Sequence, residues 1–196
     1  MYADDASRLP LSYSCEPEDT PDGSTLAERL ATDPEAFSDL YRLYLERVYR
    51  YLRARSSTEE EAADLTQQVF LKALDAIPRY RNRGVPVAPW LFRIARNVAT
   101  DAHRRRKPTV DWDHLPHALQ AEQEQSLEAE VVSRESLAQL RSLLSQLDPR
   151  KRELLALRFV AELSVREIAE VVRKRPAAVH KQLTRTLQTL KEQYHD

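Results

Sequence analysis

Apolar residues recur at spacings of three and four from Leu26 through Phe37, Leu40, Tyr41, Tyr44, Val48, Tyr51 and Leu52, which lays one apolar stripe along a helical pattern and points it at a core. Ser57 and Thr58 stand ahead of Glu59, Glu60 and Glu61. This is a helix start with acids at the positive end of the dipole, and the helix is predicted to run to about Ile77, before Pro78. The stretch from Arg79 to Pro89, with Gly84 and Pro86, has no period and reads as a loop. Trp90 opens another periodic helix, with Leu91, Ile94, Ala95, Val98 and Ala102 on one face, ending near Arg104 to Arg106 before Pro108. From Thr109 to about Glu130 the chain is acidic and weakly periodic, a linker pattern. Leu137, Leu140, Leu144 and Leu147 then form a stripe stopped by Asp148 and Pro149, and three further helices are predicted near 150–160, 164–172 and 176–192. No strand period occurs, so the expected class is all-α.

A chain of 196 residues accommodates two small domains. The division expected is a flexible acidic tail over 1–25, a helical domain over 26–107, an acidic linker over 108–132 and a second helical domain over 133–196. Gly23 and Gly84 are the only glycines, which leaves little material for phosphate-cradling loops or a nucleophile elbow. The single Cys15 cannot form an internal disulfide, and no apolar run reaches membrane-spanning length, so a cytoplasmic protein without membrane insertion is expected. The five histidines show no ligand spacing beside cysteines or carboxylates, so neither metal nor cofactor is expected.

The net charge of -1 hides an alternation of blocks. Residues 1–28 hold seven acids against Arg8, and Asp111 to Glu135 holds seven acids against Arg134. Arg79 to Lys107 holds nine bases against Asp101, and Arg150 to Lys191 holds eleven bases against Glu153, Glu162, Glu167 and Glu170. The acidic tail serves solubility or folds back on a basic lobe as a mimic of DNA.

The first basic block has an address on its helix. Opposite the core face of the Trp90 helix lie Phe92, Arg93, Arg96, Thr100, His103 and Arg104, beside a loop that supplies Tyr80, Arg81, Asn82 and Arg83. Cations interleaved with aromatics suit a separated DNA strand, whose phosphates need charge and whose unstacked bases need a flat surface; a solvated basic face is the plain alternative. On the polar side of the Glu59 helix, Asp64, Gln67, Gln68 and Asp75 frame Leu71, an apolar residue set as at a docking surface.

The second basic block contains Ser164 as a cap with Glu167 completing a capping box, then a basic turn of Arg173, Lys174 and Arg175, then Pro176 at the first position of a last helix. Val179, Leu183, Thr186, Leu187 and Leu190 are read as its inward face, and Ala177, Ala178, Lys181, Thr184, Arg185 and Gln188 as its outward one. Two short helices with small, basic and amide residues outward are what a helix-turn-helix needs to enter a major groove; a structural helical hairpin is the alternative.

These residues together resemble the extracytoplasmic-function sigma factors of bacterial RNA polymerase, which carry only the second and fourth conserved sigma regions. Asp64-Leu65-Thr66-Gln67-Gln68-Val69-Phe70-Leu71-Lys72-Ala73 is similar to the family's polymerase-docking helix. Pro89-Trp90-Leu91-Phe92-Arg93-Ile94-Ala95-Arg96-Asn97-Val98-Ala99, with Asp101 and Arg104 to Arg106, is similar to its melting and promoter-reading helix. The resemblance implies partners: RNA polymerase core, through the β′ clamp helices and the β flap, promoter DNA, and an anti-sigma factor as a candidate regulator. It implies that Asp64, Gln67, Gln68, Phe70 and Leu71 form or support the polymerase-binding surface. The downstream promoter element would fall to Tyr80, Arg81, Asn82, Arg83, Trp90, Arg93, Arg96, Asn97, Thr100, His103 and Arg104. The upstream element would fall to Arg175, Ala177, Ala178, Lys181, Thr184, Arg185 and Gln188. Three departures from the family pattern stand out: Gln68 replaces an acid, Arg173 replaces the glycine of the turn, and Arg175 and Pro176 replace a polar cap and an apolar residue. The function expected is promoter recognition on behalf of the polymerase, without catalysis. A stand-alone helix-turn-helix regulator with a sigma-like body is the second reading, and a nuclease using the acids of tail or linker is the remote third.

Overall fold

The structure is a computed structural model that describes residues 26–30, 32–81, 86–105 and 138–195. Every element among the described residues is helical. A helical turn at 26–29 leads into α1 (Ala36–Arg53), followed by α2 (Glu59–Ala76) with a 3-10 turn at Ile77–Arg79, and α3 (Ala88–Arg105). After the undescribed 106–137 come α4, seen over 138–146, α5 (Pro149–Leu155) continuing into a π turn (Ala156–Val160), α6 (Val165–Val172) and α7 (Pro176–His195). The tail over 1–25 and the linker over 108–132 lie outside the described residues, as do Asn82 and Arg83.

The sequence pattern ran unbroken from Leu26, but the chain breaks before Ala36. Pro34 lacks the donor a continuous helix needs, and Asp33 takes over locally, accepting from the Glu35 amide at 2.9 Å. Arg29 holds the break closed, bonding Asp33 at 2.6 Å and Asp39 at 2.9 Å. At the next start, Thr58 accepts from the Glu61 amide at 3.1 Å and caps α2.

The helices α1, α2 and α3 pack pairwise into one bundle around Leu40, Val48, Val69, Leu91 and Ala95. The second group is built by α5 and its π turn, α6 and α7, over Leu155, Leu157, Ile168, Val179 and Leu183. Asp148 caps α5 by accepting from the Arg150 amide at 2.8 Å, with Pro149 at the favoured first position. The predicted 150–160 helix thus ends differently from expectation: its last residues are wound into a π turn, closed by the Ala161 amide on the Ala156 carbonyl at 2.9 Å. Ser164 and Glu167 form the predicted capping box at the start of α6.

The two groups are in contact. The helix α6 lies against α3, and the π turn lies against α1, so the buried apolar cluster is continuous from one to the other.

Candidate nucleic-acid interface

The helix α2 presents Asp64, Gln67, Gln68 and Leu71 to solvent together, and Leu71 is 63% exposed. Phe70 is not on that surface. It is buried, meeting the Tyr41 ring edge-on at 4.7 Å, so it supports the surface from beneath. Tyr41, placed on the inward stripe by periodicity, is itself exposed, as is Leu74. Leu74, three positions on from Leu71 along α2, adds a second exposed leucine to the one singled out in the sequence.

On α3 the outer face holds Arg93, Arg96, Asn97, Thr100, His103 and Arg104 at half-buried to exposed positions. Phe92 does not join them: it is fully buried, edge-on to Tyr51 at 5.7 Å, and belongs to the core. Tyr80 is buried as well, packed at 4.9 Å against half-buried Trp90, and burial raises its phenol pKa. This pair props the exposed Arg81 at the start of the loop. Thr100 spends its hydroxyl on the Arg96 carbonyl at 2.7 Å, within the helix.

Arg175, in the turn before α7, and Ala177, Ala178, Lys181, Thr184, Arg185 and Gln188 on it are all exposed. Lys181, Arg185 and Ala178 line one shallow concavity with Lys151 of α5, a basic wall. Leu187, expected inside, is largely exposed instead. With Leu140, Leu144, Phe159, Leu190 and Tyr194 it lines an apolar groove of about 470 Å³ between α4 and α7. The turn before α7 answers the missing glycine directly: Arg173 takes the left-handed conformation at φ 54° and ψ 50°, and the Lys174 amide closes on the Ala169 carbonyl at 2.9 Å.

A buried polar cluster joins the two groups, and sequence reasoning missed it. Glu153 of α5 accepts from the Tyr51 hydroxyl at 2.7 Å, bonds Arg55, and lies 3.5 Å from Arg96. Arg55 also donates to the Tyr51 hydroxyl at 2.6 Å. Burial pushes the Tyr51 phenol well above its ordinary range. Burial, the largest influence, works against the Arg55 cation, yet Glu153 and Tyr51 together outweigh it and the guanidinium pKa is raised. Tyr51 looked like one more core tyrosine and Glu153 like a stray acid in a basic block; only tertiary structure pairs them.

Among the described residues no group of three His, Cys, Asp or Glu side chains could hold a metal ion, and no helix is long and apolar enough to cross a membrane.

Comparison with known proteins gives concordant results. Residues 40–109 match sigma-70 region 2, and residues 137–190 match sigma-70 region 4. The chain is 35% identical to the ECF RNA polymerase sigma factor SigD of Mycobacterium tuberculosis, over 87% of this chain and 82% of that one. Its fold is shared with CnrH, solved in complex with the cytosolic domain of CnrY, at a TM-score of 0.62 and 24% identity over 87% of this chain and 96% of that one. It is also shared with the sigma factor RpoE of Bartonella quintana, solved with the anti-sigma factor NepR, at a TM-score of 0.57 and 20% identity over 81% and 96%. With both sigma regions present in order and a relative this similar along nearly its whole length, the chain belongs to the ECF sigma factors of RNA polymerase.

Proposed function

We propose that this sigma factor divides its work among three surfaces: α2 docks on the polymerase core, the outer face of α3 captures the separated strand of the downstream element, and α7 reads the upstream element as duplex. The observation that carries the reading is the exposed Leu71 among Asp64, Gln67 and Gln68, an apolar anchor with a polar frame. The clamp helices of the β′ subunit are its partner in this reading. The apolar groove around Phe159 and Leu187 is the second polymerase contact, toward the β flap. An anti-sigma factor is a further partner, a reading supported by the RpoE structure solved with NepR.

The protein makes and breaks no bond in this scheme. It lends sequence recognition to the polymerase and acts where the polymerase does, in the cytoplasm. The domains proposed are 26–107 for core binding and strand opening and 133–196 for the upstream element.

Leu71→Arg tests the docking surface. It puts a charge into the anchor position at an exposed site, so the fold is kept while affinity for core polymerase falls by more than about tenfold. Unchanged binding removes α2 from the docking role. Run-off transcription from a genomic fragment library, with purified core and this protein, tests the whole reading; absence of any promoter-dependent transcript overturns it.

A further inference from the structure

A cleft of about 390 Å³ lies where α3 faces α5 and the end of α6. Its rim is basic on both sides, with Arg96 and His103 from α3, Arg150 from α5 and Lys174 from the turn after α6. Glu153 is the one carboxylate in its walls, and the Tyr51 hydroxyl and the Arg55 guanidinium already bond it. Arg96 keeps only a share of that carboxylate, at 3.5 Å. Arg150 and Lys174 pair with no carboxylate among the described residues, and Lys174 donates to the neutral Gln182 amide at 3.2 Å. Cations gathered along protein walls without a counter-charge focus a positive field into the cleft and draw an anion to it.

Beneath the rim the character changes. Ala99 and Leu154 are buried and Val172 is half-buried, so an apolar body finds a seat there. The polar groups at that depth are acceptors. Thr100 has given its proton to the Arg96 carbonyl at 2.7 Å, and the Glu153 carboxylate has none to give. A phosphate therefore belongs at the rim, away from Glu153, where guanidinium forks and an ammonium group match its oxygens. A flat apolar group that carries N–H donors belongs inside. The volume is that of a small-molecule site, which spans roughly 300–1,000 Å³.

We infer that this cleft is a nucleotide site: it takes a nucleoside phosphate, with the phosphates on Arg150, Lys174 and Arg96 and an amino-bearing base against Leu154 and Val172, facing Thr100 and Glu153. The site shares Arg96 with the strand-capturing face of α3 but does not depend on that role. Arg150 and Lys174 have no part in it, so they carry the test.

That test is calorimetric titration of the full chain, without divalent cations, with ADP, GDP and CDP, whose bases all carry an amino group, and with inorganic pyrophosphate, which has the charge and no base. At least one of the three nucleotides is expected to bind with a Kd below about 1 mM, and pyrophosphate at least about tenfold more weakly. Arg150→Ala and Lys174→Ala, at exposed positions and checked for folding by circular dichroism, are each expected to weaken the nucleotide about tenfold, the weight of one charge-assisted hydrogen bond. Arg42→Ala, also exposed but on α1 and outside the cleft, is expected to leave it unchanged. Absence of binding by all three nucleotides overturns the site. Pyrophosphate binding as tightly as the best nucleotide overturns it too, because charge alone then suffices. A loss with Arg42→Ala equal to the losses in the cleft, or no loss with either cleft variant, puts the ligand elsewhere and likewise overturns it.

Discussion

The outer faces of α3 and α7 are alike in composition and unlike in surroundings. Both present arginine or lysine with small and polar residues at helical spacing, yet α7 turns its bases to solvent, whereas α3 turns Arg96, Thr100 and His103 toward a second domain. The difference traces to what lies opposite. The first helix of the helix-turn-helix unit, α6, packs on α3, and that packing carries α7 outward on the far side. A basic helical face read from spacing is thus a statement about composition alone, and what stands opposite it is fixed by residues far away in the chain, here Glu153 beside Arg96.

The largest expected effect comes from the covered side. Arg55→Ala leaves the Glu153 carboxylate buried without its closest cation, and breaking a buried pair in this way removes about 3 kcal/mol. The loss falls on the contact between domains, so calorimetry is expected to replace one cooperative transition by two, the domains melting separately. A single transition at an unchanged midpoint would show that the cluster does not couple them.

Next in size is a direct contrast between the two faces. In the polymerase complex, Lys181→Ala or Arg185→Ala is expected to weaken upstream duplex binding by about 1–3 kcal/mol if the side chain reads a base, or to lower the salt slope by about one if it holds a phosphate. Arg96→Ala, on the other face, is expected to leave that duplex binding unchanged and to weaken capture of a single-stranded downstream oligonucleotide several-fold in the same complex, measured by anisotropy. Equal losses on duplex and on single strand would erase the distinction between the faces.

How much of this was legible beforehand follows from the range of the forces involved. The cap at Thr58, the box of Ser164 and Glu167, and the periods of α2, α3 and α7 are local, so the sequence states them and the all-α class with them. The break at Pro34 is equally local, but the apolar spacing continues across it and hides it. Misplacements arose where a residue sits at the margin of a helical face. Phe92 went outward in the reading and is buried, because Tyr51 of α1 approaches from that side; Leu187 went inward and is exposed, because α4 covers only one flank of α7. Nothing in the spacing of Tyr51, Arg55 and Glu153 announces the interdomain cluster, since each has an ordinary local explanation. The charge tally did hold a trace of it: of the four acids set against the second basic block, Glu153 and Glu162 are the two that meet arginines of the first domain.

The smallest effect separates the two left-handed residues that flank α6. Glu162 and Arg173 have nearly the same φ, 55° and 54°, and each holds a Cβ where glycine fits better. Left-handed backbone costs such a residue about 1–2 kcal/mol, while glycine gives back about 0.4–1 kcal/mol through the freedom of the unfolded chain. Arg173→Gly should therefore stabilise the chain by about 0.5–1 kcal/mol, raising the thermal midpoint by a few degrees, because the exposed Arg173 side chain takes no part in the bonds from Arg47 and Arg50. Glu162→Gly relieves the same strain but gives up the bond to Arg50, so its gain is offset. If both substitutions raise the midpoint equally, the bond between Glu162 and Arg50 contributes nothing to stability. If Arg173→Gly lowers it, the arginine at the turn is engaged on the side of the molecule that faces DNA, and the open face is less free than its exposure implies.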